Sequence, residues 1–93
     1  MSSYPTRWSG RKGKFRINYD LVITQPQQVL AVMAQCVIVK AEMLYAEDVF
    51  EYTALSEQFR PIENGEGIPT YSWIVNVDGE GNISCKALLD QST

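Results

Sequence analysis

Histidine is missing from this 93-residue chain, and cysteine occurs twice, at Cys36 and Cys85. Without an imidazole to take a proton near neutral pH, Ser-His-Asp and Cys-His nucleophilic mechanisms are excluded, although variants with a lysine base are not. A structural zinc site wants four ligands from Cys and His, so zinc is disfavoured as well. Long apolar runs are also lacking. The most apolar window, Val29 to Val39, is interrupted by Gln35 and is about half the roughly 20 residues of a membrane-spanning helix. The opening residues, Met1 to Arg7, hold no signal-peptide core, so the expectation is a cytoplasmic protein with two reduced, buried thiols.

The motifs that bind phosphates and ions are absent or fail on inspection. There is no P-loop. The segment Asp78-Gly79-Glu80-Gly81-Asn82 begins like a calcium loop, but Ile83 stands at the sixth position and Leu89 at the twelfth, where glycine and a bidentate glutamate are required. The same glycines miss the dinucleotide fingerprint, since Ser84 replaces the third glycine and a strand follows where a helix is needed. Asn82-Ile83-Ser84 fits the glycosylation triplet, which carries little weight without a secretory signal. Glu47, Asp48 and Glu51 form an acidic cluster, the one concrete basis for a metal-dependent hydrolase. Three carboxylates beside a turn more often make a solvated edge that discourages strand pairing. Lys40, near Glu42 and Tyr45, reads as a solvent-facing strand residue. No enzyme activity, cofactor or metal is expected.

What is present is an uneven charge. Arg7, Arg11, Lys12, Lys14 and Arg16 all lie in the first sixteen residues, where no carboxylate occurs. All eleven carboxylates lie beyond, against Lys40, Arg60 and Lys86, so an arm of +5 precedes a body of −8. Such asymmetry marks an interacting terminus. The arm is a solvated tail, an anion binder whose Trp8 or Tyr4 stacks on a base, or a docking segment for an acidic protein surface. The sequence leaves these open. The residues nominated for ligand or partner contact are Tyr4, Arg7, Trp8, Arg11, Lys12, Lys14 and Arg16.

Ninety-three residues suit one core. Pro5, Gly10 and Gly13 among polar residues mark residues 1–13 as a flexible arm before a single domain at 14–93. Phe15, Ile17, Tyr19, Leu21 and Ile23 occupy every second position, the period of a strand with one buried face. Thr24-Gln25-Pro26-Gln27 then reads as a helix start with Thr24 as cap, and the helix runs to about Gln35. Strands follow at about 37–45 and from 49 to 55, although the helix formers in the first leave one long helix to residue 58 as an alternative. Two prolines and an Asn-Gly step make 60–70 a loop, and two alternating runs around residues 78–82 form a hairpin. The expected fold is α+β, in the order β-α-β-β-β-β, with an antiparallel sheet packed on one helix. Leu44, Phe50, Ile74 and Leu88 fall out of phase with the core stripes, which predicts apolar side chains on an uncovered face and hence self-association.

These readings favour a non-enzymatic binding module, a small homo-oligomer with a protein partner. A phage or mobile-element accessory protein that blocks or sequesters a host factor fits that description. Nucleotide or nucleic-acid binding through the arm is the alternative, opposed by an acidic body that would repel phosphates.

Overall fold

The computed structural model describes residues 10–63 and 65–90. Strand β1, Lys12–Asn18, turns Gly13, Phe15 and Ile17 inward and Lys12, Lys14 and Arg16 to the other face. It pairs antiparallel with β3, Val49–Leu55, placing Phe15 opposite Tyr52 and Ile17 opposite Phe50. On its far side β3 pairs with β2, Val37–Leu44, giving a sheet of order β1-β3-β2. The ladder between β2 and β3 shifts register between Ile38 and Lys40, leaving Val39 as a bulge.

β1 begins two residues before the expected boundary at Lys14, so Lys12 and Gly13 belong to the sheet. Gly13 packs under the Tyr71 ring, where an added Cβ would lie 2.7 Å from ring carbons. Glycine is there for close approach across the core, not to mark a loop.

The strand predicted through Ile23 ends at Asn18, and Tyr19–Thr24 form a short helix, α1. The cause is the partner. Asn18 pairs with Val49, the first residue of β3, and the Tyr19 amide donates to Asp48 O (2.9 Å) in the turn before it. Beyond that point β3 offers no ladder. Helix α2, Pro26–Met33, opens on Pro26 as expected but takes Gln25 as its cap residue, without a side-chain cap bond. Thr24 closes α1 instead, its hydroxyl donating to Asp20 O (2.9 Å). Val29 and Val32 of α2 enter the core.

The hairpin lies where the alternation puts it. β4, Tyr71–Val77, pairs with β5, Ile83–Leu89. Asp78 organises the turn, its Oδ1 accepting from the Glu80 and Asn82 amides (2.9 Å each), with Gly81 at φ 85°. These hydrogen bonds, Asn82's foremost, hold the Asp78 carboxyl below the ordinary range. The first of the calcium-like groups, the Asp78 carboxylate, thus serves as acceptor for the chain's own amides.

The class and the strand-helix-strand order match the sequence reading, but there are two helices and two sheets in place of one of each. A single parallel bridge, Lys14 with Thr70, links β1 to the start of β4, and the strands pair no further. The joint is filled by aromatic rings: Phe59 stacks on Tyr71 (4.4 Å between centroids), and Trp73 meets Phe15 edge-on (5.8 Å). Ser56, fully buried, donates to Gln35 O (2.8 Å) and accepts from the Gln58 amide (3.2 Å). Gln58 in turn reaches β5, its Nε2 donating to Cys85 O (3.1 Å) and its Oε1 accepting from the Ala87 amide (2.8 Å). Cys36 and Cys85 are free thiols packed against the core. Among the described residues, no helix is long and apolar enough to cross a membrane.

Candidate functional site

The nominated residues separate into three groups. Tyr4, Arg7 and Trp8 lie outside the described residues. Arg11 and Arg16 are engaged within the fold. The Arg11 guanidinium donates to Phe59 O (2.9 Å), while its own carbonyl accepts from the Ser56 amide (3.1 Å). Arg16 bridges Glu47 (3.2 Å) and Glu51 (3.1 Å), and these carboxylates raise its pKa, the Glu51 hydrogen bond first. The same contacts occupy two of the three carboxylates that suggested a hydrolase. Among the described residues, no group of three or more His, Cys, Asp or Glu is arranged to hold a metal ion.

Lys12 and Lys14 form the third group. They share the sheet face turned away from the core with Lys40, which stands opposite Thr53 on the other side of β3 from Lys14. Val49 and Leu55, at the ends of β3 on this face, are buried. Of the four side chains read as out of phase, Ile74 and Leu88 are exposed on the outer face of the hairpin, and Leu44 shares the lysine face. Phe50 is the exception. Its register opposite Ile17 puts it on the core side, where it packs between Tyr19 and Tyr52.

The divergence of β1 from β4 opens a cleft that the sequence does not announce. Arg16 and Ile17 line it from β1, Leu21 from α1, Gln28, Val29 and Val32 from α2, and Trp73 and Val75 from β4. It encloses about 80 Å³, whereas pockets for cofactors and drug-sized ligands span roughly 300–1,000 Å³. Space of this order suits one aliphatic side chain. The cleft has one polar anomaly: Trp73, on its wall, has a buried indole N–H with no acceptor among the described residues. An unpartnered buried donor costs about 1–3 kcal/mol, and tryptophan usually finds a partner when buried. Beside the cleft, α1 is rich in apolar side chains yet buries none fully; Tyr19 is 45% and Ile23 60% exposed.

A second hollow of about 540 Å³ lies over the 60–66 loop, walled by Arg60, Pro61, Glu63, Gly65 and Glu66. It is wide and shallow, and its charges satisfy one another: Arg60 pairs with Glu66, which also accepts from the Glu63 amide (3.0 Å).

Alternation in β4 placed Trp73 on the core side correctly. That its N–H would lack a partner depends on where β1 and β4 part, a property of tertiary packing with no trace in local sequence. Comparison with protein-family models, curated proteins and solved structures gives no match to this chain.

Proposed function

We propose that the protein is a non-enzymatic interaction module that takes one aliphatic side chain of a protein partner into the cleft between α2 and the diverging strands. The observation that carries this reading is the buried N–H of Trp73, without an acceptor among the described residues, on a ring that lines the cleft with Leu21, Val29, Val32 and Val75. A peptide brings the two things the cleft lacks, an apolar side chain and an adjacent backbone carbonyl. Apolar walls supply affinity, and one donor fixes orientation. Phosphate binding through the arm has weaker support, because two of its four described cations already serve internal bonds.

A random-peptide display selection tests the reading. Peptides sharing one aliphatic anchor should be enriched, and their binding should be lost in Leu21→Trp, which fills the cleft mouth. Trp73→Phe keeps most of the ring but removes the donor, so it should fold normally and bind selected peptides about three- to tenfold more weakly. In the wild type, the Trp73 indole proton resonance should move downfield on binding. Enrichment that is equal on wild type and Leu21→Trp would overturn the proposal.

A further inference from the structure

The outer edge of β2 supports a second inference, independent of the cleft. β2 is the last strand of the order β1-β3-β2, and its other edge pairs with no strand among the described residues. A free edge presents unpaired amides and carbonyls to any incoming strand. It is also apolar in part: Val39 is 55% and Ile38 37% exposed. Two charges stand among these residues. Lys40 and Glu42 both face away from the core, and neither makes an ion pair or side-chain hydrogen bond among the described residues. Glu42 lies opposite Glu51, whose carboxylate is taken by Arg16 (3.1 Å), so Glu42 gains no cation from its own sheet.

We infer that this edge pairs with the β2 edge of a second copy, antiparallel about a two-fold axis through Ala41. A two-fold axis normal to a sheet keeps each side chain on its own face, so residues facing one another across it must share a face. That restricts the register to a few choices. Centring on Lys40 sets two lysines against each other, and centring on Glu42 does the same with two glutamates. Centring on Ala41 places each Lys40 opposite the other copy's Glu42, and each Val39 opposite Met43. Cross-strand neighbours lie about 4.5–5.5 Å apart at Cβ, so both unpaired charges gain partners. Beyond Val39 the bulge changes the facing of the strand, which limits the contact to residues 39–43 of each copy. The result is one continuous six-stranded sheet.

Charge exchange tests the register. Wild-type protein should sediment as a dimer. Lys40→Glu and Glu42→Lys should each weaken the dimer by about tenfold or more, since every reciprocal pair becomes repulsive. Both positions are exposed, so circular dichroism should show both variants folded. Mixed in equal amounts, K40E and E42K should form a heterodimer, because one variant then carries two carboxylates on this edge and the other two ammonium groups. A monomeric wild type at its highest soluble concentration, either single variant as dimeric as wild type, or a mixture that does not associate would each overturn the inference. Leu21→Trp should leave the dimer intact, so this proposal and the cleft proposal fail separately.

Discussion

The two sheets are built by different means. In the three-stranded sheet the middle strand β3 is hydrogen-bonded along both edges, so each strand is fixed by its neighbour. The hairpin β4-β5 meets that sheet through one bridge at Lys14 and Thr70, and otherwise depends on Phe59, Tyr71, Trp73 and the Gln58 amide. Backbone ladders hold the first unit; side-chain packing docks the second. Because packing depends on close fit, the joint between them is where small changes have the largest consequences.

Gly13→Ala should break the arrangement most severely. The new methyl would lie 2.7 Å from Tyr71 ring carbons and 3.0 Å from Phe59, and overpacking of this kind costs about 1–3 kcal/mol. Denaturant melts should show the loss. Hydrogen exchange should show β4 and β5 amides losing protection ahead of those of β3; uniform loss would mean that the sheets unfold as one.

A smaller effect is expected from Gln58→Ala. It removes two bonds to β5 and one to Gln35, at about 0.5–1.5 kcal/mol for a group as exposed as this. Faster exchange should be confined to the Ala87 amide and its neighbours on β5.

The thiols give the finest comparison. Burial pushes Cys36, in the turn before β2, up to about 11, and raises Cys85 on β5 in the same direction. Cys85 should therefore be alkylated first near about pH 8, because the thiolate is the reactive form. For Cys36 the folded pKa lies above the unfolded value, so the unfolded chain releases its proton first as pH rises. Its contribution to stability is complete below about 9 and is lost by about 11. Denaturant midpoints for wild type should fall across that range more steeply than those for Cys36→Ala.

How much of this was readable in the residues follows from the same division. The hairpin was legible because alternation and turn chemistry are both local: Tyr71, Trp73 and Val75 pack on the core from one strand and Cys85 and Ala87 from the other, while Val77 and Leu89 of the same stripes are exposed. The start of α2 was legible from Pro26. Tyr19, Leu21 and Ile23 misled because alternation describes a face but not a partner, and β3 begins at Val49. The split into two sheets depends on contacts between residues far apart in the chain, above all Gly13 with Tyr71. For the candidate sites, the charge asymmetry directed attention to the arm, yet Arg11 is tied to Phe59 O and Arg16, on the surface, to Glu47 and Glu51. Lys40 read correctly as solvent-facing. That Lys40 and Glu42 stand on a free strand edge emerged only once β2 was known to be the last strand of its sheet.

Gln58 has a consequence for the size of any assembly. Its amide stands where a neighbouring strand would lie, occupying Cys85 O and the Ala87 N–H on the outer side of β5. A molecule open at both flanks could add copies without end, as fibres do. With the Gln58 amide on β5 and β2 left free, a copy added along β2, as proposed above, has no matching route at Cys85 and Ala87.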